Sequence, residues 1–136
     1  MFVKIFIAGT FDPLHIGHQW LLWNATKKAT ELVVILATDV MVHKIRGRSS
    51  HFSEQERMLR LQKEELPHTT VRVGREDGDF LQTLREESPD VLLLGFDQNA
   101  NEKLIQAEFP ELEIRRAKKY FPEFFKSSHF RYTKEK

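Results

Sequence analysis

The sequence predicts an open α/β fold with a parallel sheet, and three observations carry that reading. Short, almost wholly apolar runs alternate with longer mixed segments, the pattern of inner strands covered on both faces by helices. Two of these runs end in glycine, at Gly9 and Gly95, where ligands bind in such sheets. The third and fifth runs are shorter and more polar, which places them at the edges and suggests the order 3-2-1-4-5, a Rossmann-like doubly wound sheet.

Residues 2–8 form the first strand. A helix from about 14 to 29 follows, with Asp12 and Pro13 as a plausible N-cap and first-turn pair. Its sheet-facing stripe is read as Ile16, Trp20, Trp23 and Leu22. Residues 31–38 are the second strand, with Asp39 just beyond it. The basic segment His43-Lys44-Ile45-Arg46-Gly47-Arg48 has no clear period and reads as an exposed loop. Ser53 and Glu56 make a capping box for a helix to about Glu65, stopped by Pro67.

Residues 69–73 are a third strand. Asp77-Gly78-Asp79 opens a helix carrying Phe80, Leu81 and Leu84, ended by Ser88-Pro89-Asp90. Residues 91–94 are the fourth strand, 101–109 a helix and 112–117 a fifth strand. The aromatic segment 120–125 leads to Lys126-Ser127-Ser128-His129-Phe130-Arg131, where a serine can cap a last short helix.

The 136 residues fit one domain spanning 1–136, with 40% hydrophobic and 30% charged residues, an ordinary globular balance. A net charge of +1 gives no global field directed at nucleic acid. Cysteine is absent, which removes disulfides, thiolate metal sites and cysteine nucleophiles. The first apolar run is too short for a membrane span, so the expectation is a soluble cytoplasmic protein with no membrane partner.

The stretch from Gly9 to His18 is the main candidate site. A small-residue turn entering a helix presents free amides and the positive end of the helix dipole, an arrangement suited to phosphate. Gly9 permits close backbone approach, and His15 and His18, three apart, project near that helix end. A capping turn with two surface histidines, or a zinc site, are the alternatives; zinc lacks a visible third ligand.

This stretch resembles the nucleotidylyltransferase signature, (Thr or His)-x-Gly-His, behind its leader Gly-Thr-Phe-Asp; here the quartet is His15-Ile16-Gly17-His18. The resemblance, to the cytidylyltransferase-like members, runs from Ile5 to Arg131 through four ordered motifs. It implies that His15 and His18 contact the triphosphate and stabilise the pentacovalent transition state, with Thr10 and Phe11 helping to hold the nucleotide. Lys44 matches a lysine reaching the phosphates. Arg57 is open between a part in the site, an ion pair with Glu54 and an exposed face. Gly95 and Asp97, with Gln98, match a Gly-x-Asp element for ribose or base. Ser127, Ser128 and Arg131 match a serine-rich phosphate motif. Asp12, Arg46, Arg57 and Phe125 are the weaker candidates for the acceptor.

The resemblance further implies transfer of AMP or CMP from ATP or CTP to a phosphorylated small molecule, with release of pyrophosphate. Magnesium is expected to ride on the nucleotide, with no protein metal site, and a homodimer is possible. Gly95-Phe96-Asp97-Gln98 and the Lys-Ser-Ser tail are most similar to small archaeal-type flavin adenine dinucleotide (FAD) synthases. Cytidylyl transfer to glycerol 3-phosphate is the alternative, phosphopantetheine adenylylation a third, and a nucleotide-binding regulatory module without turnover is the alternative of another class.

Overall fold

The computed structural model describes residues 1–95, 98 and 100–117. Its elements are β1 (Lys4–Gly9), α1 (Ile16–Lys28), β2 (Glu31–Leu36), α2 (Asp39–Arg46), α3 (Glu54–Gln62), β3 (Thr69–Val73), α4 (Phe80–Glu87), β4 (Val91–Leu94), α5 (Glu102–Glu108) and β5 (Glu113–Arg116). The five strands pair in parallel in the order β3-β2-β1-β4-β5, the order expected from the apolar character of the inner strands.

Strand alternation explains why β1, β2 and β4 are apolar at successive positions. Ile5, Ile7, Leu32, Val34 and Leu36 pack on one face with Leu22 and Ala25 of α1 and Leu61 of α3. Phe6, Val33, Ile35, Leu92 and Leu94 pack on the other with Leu84 of α4 and Ile105 of α5.

Three expectations are corrected. The basic segment after β2 is not a loop but the helix α2 and its cap. Thr38 caps it by accepting from the Met41 N–H, His43, Lys44 and Arg46 sit in its last turn against the negative dipole end, and Gly47 closes it in the left-handed region (φ 73°). Only Val42 of this helix is buried, too little to give a readable apolar period. Second, α1 starts at Ile16, with His15 as its N-cap, rather than at Asp12 and Pro13. Third, the buried residues of α1 are Leu22, Ala25 and Thr26, whereas Trp23 is exposed and its indole N–H donates to Glu64 at 3.3 Å.

The C-terminal edge of the sheet contains a natural opening. β1 pairs with β2 along its whole length, from Lys4↔Glu31 to Gly9↔Leu36. With β4 its ladder, among the described residues, is short, at Ile5↔Val91 and Phe6↔Leu92, and stops before the C-terminal end of β1. This is where the chain order reverses across the sheet, the place at which such folds bind ligands.

Candidate active site

The turn between β1 and α1 is built from inside. Phe11 adopts a left-handed conformation (φ 53°), the Asp12–Pro13 peptide is cis, and the Phe11 ring is 4% exposed. A Cβ on Gly9 would lie 2.9 Å from Phe11 Cζ, so Gly9 admits this ring rather than a ligand's close approach. Phe11 therefore shapes the turn from beneath, and its edge meets the His18 ring (centroids 5.0 Å, interplanar angle 78°).

The two histidines form a reciprocal cap. His15 Nδ1 accepts from the Gly17 N–H at 3.1 Å, and His18 Nδ1 accepts from the His15 N–H at 3.2 Å. Their rings stack at 3.7 Å. A Cβ on Gly17 would lie 3.0 Å from His15 Cε1, so glycine at this position clears room for the ring. An imidazole whose Nδ1 accepts a hydrogen bond carries its proton, when neutral, on Nε2. The backbone thus sets both rings as Nε2–H donors. Burial, followed by the proximity of His15, pushes the His18 pKa down to about 4, and a hydrogen bond with the Pro13 backbone opposes them. His18 is a neutral donor at physiological pH.

A polar hub lies behind this turn. Asp12 has a fully buried side chain. It accepts from the N–H groups of His51 (2.6 Å) and Phe52 (2.8 Å), tying down the connection between α2 and α3. Arg46 reaches it at 3.5 Å. Burial raises the pKa of Asp12, but those two amide hydrogen bonds and the nearby His51 and Arg57 outweigh burial and hold it below the usual carboxylate range.

Arg57 is neither exposed nor paired with Glu54. It is 0% exposed and pairs with Asp39 at 2.8 Å. Its Nε donates to the Phe52 carbonyl (3.0 Å), and Nη1 donates to the carbonyls of Thr10 (3.0 Å) and Ala37 (2.8 Å). Four of its five N–H bonds are thereby engaged. Burial raises the pKa of Asp39, but hydrogen bonds from the Arg57 side chain and the Glu54 backbone, with the Arg57 charge and the Ser50 hydroxyl, carry it below its ordinary value.

Across the opening, the Gly95 N–H donates to Gln98 Oε1 (3.0 Å), and Gln98 Nε2 donates to the Ala8 carbonyl of β1 (3.3 Å). Arg116 Nη1 donates to the carbonyls of Gly95 and Gln98, each at 2.7 Å, while its Nη2 pairs with Glu102.

The structure therefore brings Gly9, Thr10, Phe11, Asp12, His15, Gly17, His18, Arg46 and Arg57 into one neighbourhood, with Gly95 and Gln98 facing it across the opening. Lys44 lies exposed in the last turn of α2, two residues and about 200° around the helix from Arg46. Asp97, Phe125, Ser127, Ser128 and Arg131, and the rest of the tail from 118, lie outside the described residues. Sequence reasoning missed Asp39 and Arg116 as partners here; Asp39 was visible only as an acidic residue past a strand end.

No three His, Asp or Glu side chains gather into a metal-binding cluster among the described residues. The turn offers hydrogen-bond donors, and the Asp12 oxygens already accept from two amides. This donor set suits an anion and does not by itself hold a divalent cation. No helix among the described residues is long and apolar enough to cross a membrane.

A profile described as cytidylyltransferase-like matches residues 6–132. The chain belongs to the cytidylyltransferase-like family, and it is a nucleotidyltransferase. Among curated family relatives, the FAD synthase of Picrophilus torridus is 32% identical over 133 residues, covering 95% of this chain and 94% of the relative. That of Methanobrevibacter smithii is 36% identical over 124 residues, covering 86% and 80%. Among solved structures, the lipopolysaccharide core biosynthesis protein of Thermoplasma volcanium is 29% identical with a TM-score of 0.77, covering 88% of this chain and 99% of that one.

Proposed function

We propose that this nucleotidyltransferase moves the adenylyl group of ATP onto flavin mononucleotide (FMN), giving FAD and pyrophosphate. The geometric observation that carries the phosphate chemistry is the reciprocal histidine cap, which holds both imidazoles at the start of α1, His18 in its neutral form. The choice of ATP and FMN is supported by the FAD synthases at 32% and 36% identity over most of both chains.

In this reading an oxygen of the FMN phosphate attacks the α-phosphorus of ATP. The bond from that phosphorus to the bridging oxygen breaks, and pyrophosphate leaves with the electron pair. The attacking phosphate is already an anion, so no general base is required. The chain supplies position and stabilisation of developing negative charge. His15 and His18 donate from Nε2 to phosphate oxygens, and the amides opening α1 add to the same field. Thr10, Gly17, Lys44 and Gly95 belong to the same proposal as nucleotide contacts, and Asp12, Arg46 and Arg57 as the support of the acceptor side. Asp97, Gln98, Ser127, Ser128 and Arg131 complete the nucleotide contacts, and Phe125 the flavin's. Magnesium is proposed to arrive with the triphosphate. A single domain over 1–136, a cytoplasmic location and a homodimer accompany the reading by resemblance to the family, the dimer being testable by light scattering.

The deciding experiment measures pyrophosphate release with ATP or CTP against FMN, glycerol 3-phosphate and phosphopantetheine. ATP with FMN is expected to be the productive pair, with FAD identified by its mass. Turnover with CTP and glycerol 3-phosphate alone would overturn the substrate assignment. Nucleotide binding without turnover on any acceptor would instead make the chain a binding module.

A further inference from the structure

At the C-terminal edge of a parallel sheet the strands run out of neighbours, and carbonyl oxygens that the ladder would satisfy are left over. Each carries partial negative charge at the place where an anionic ligand is to bind. Here those oxygens are covered by side chains. The Gly9 carbonyl receives the Ala37 N–H at 2.9 Å, closing the β1–β2 ladder. Beyond that point one guanidinium nitrogen, Nη1 of Arg57, donates to both the Thr10 and the Ala37 carbonyls. On the far side of β1 the Ala8 carbonyl is covered by Gln98.

We propose that Arg57 is a positioning residue whose buried guanidinium masks the Thr10 and Ala37 carbonyls, making the rim of the crevice able to accept a polyanion. The inference rests on the nucleoside triphosphate reading of this site. Two features separate it from simple structural support. Four hydrogen bonds of Arg57 reach separate segments: the turn after β1, the end of β2, the start of α2 and the approach to α3. The pair is also asymmetric. Arg57 is wholly buried whereas the Asp39 side chain is 48% exposed, so the cation lies inside, under the turn, while solvent screens the anion outside.

Arg57 acts through the turn and not by touching the ligand. Its loss is therefore expected to weaken ligands in proportion to their phosphate charge. The test compares binding of pyrophosphate, ATP and adenosine to the folded wild type, Arg57→Gln and Arg57→Lys by calorimetry or NMR titration, with the His18 ring signals followed in parallel. The Arg57→Gln variant is expected to lose about tenfold or more in affinity for pyrophosphate and ATP, equivalent to about 1.4 kcal/mol. Adenosine affinity is expected to stay within about threefold, equivalent to less than 1 kcal/mol. Arg57→Lys keeps the charge but not the planar fork, and is expected to recover part of the pyrophosphate affinity. Equal losses for adenosine and pyrophosphate, or none for either, overturn the inference. If Arg57→Gln does not fold, the same comparison on Arg57→Lys decides it, an unchanged pyrophosphate affinity being the refuting result. A wild type that binds neither ATP nor pyrophosphate overturns the nucleotide reading itself, and the inference with it.

Discussion

The state of His18 is the most direct test of the site's chemistry. Its pKa is brought from 6.5 to about 4 by burial and then by the proximity of His15. The unfolded chain therefore binds a proton that the folded chain refuses over the window from 6.5 down to about 4. The sign follows: stability is fully present above pH 6.5 and declines as the pH falls toward the folded value. At 1.36 kcal/mol per pH unit, the loss attributable to His18 is at most about 3 kcal/mol. The perturbation is His15→Ala, which removes the stacked ring at 3.7 Å but keeps the backbone N–H that donates to His18 Nδ1. Long-range proton–nitrogen NMR of the imidazoles reports both tautomer and pKa. In the wild type, His18 is expected as the Nε2–H form, titrating well below an ordinary histidine. In His15→Ala it is expected to keep that tautomer while its pKa moves up toward 6.5. Because the rings touch, the wild-type titration is read as that of the pair. A His18 that titrates near 6.5 in the wild type, or that carries its proton on Nδ1, would refute the argument that the cap prepares a neutral donor.

Two further outcomes follow from the same turn. His18→Ala is expected to lower kcat by about 10²–10³, the effect of losing one preorganised donor to developing charge. Nucleotide affinity should change by less than about tenfold; an equal fall in affinity and kcat would mean that His18 only binds ground-state phosphate. Gly9→Ala places a methyl 2.9 Å from the buried Phe11 ring. That overpacking is expected to cost about 1–3 kcal/mol, read as a lower thermal midpoint, and an unchanged midpoint would show that the ring can move aside.

Where function and local chemistry coincide, the sequence was readable. Apolar runs marked β1, β2 and β4, and Ser53 with Glu56 marked the start of α3, because each signal is completed within a few residues. The histidine pair was legible as a phosphate element, but its geometry was not: that a histidine at the N-cap and another three residues on would cap each other is a backbone outcome. α2 escaped because its capping signals, Thr38 and Gly47, stand without a buried stripe between them. Arg57 was ambiguous for a deeper reason. Its partners Thr10, Ala37 and Asp39 are 47, 20 and 18 residues away and are assembled only by the sheet. Asp12 looked like a helix cap by its place before a proline, yet its true partners are the amides of His51 and Phe52.

The short ladder between β1 and β4 gives the molecule a seam. β2 and β3 continue the sheet on one side of β1 and β4 and β5 on the other, with α4 packed across both. Among the described residues the central strands β1 and β4 pair at Ile5↔Val91 and Phe6↔Leu92, with Lys4 and Asp90 bonded just before and Gln98 as a stitch farther along. A ligand lodged in that seam touches both sides and so staples them. Its binding should accordingly protect the amides of β4 and β5 from hydrogen exchange as strongly as those of the turn that holds its phosphates.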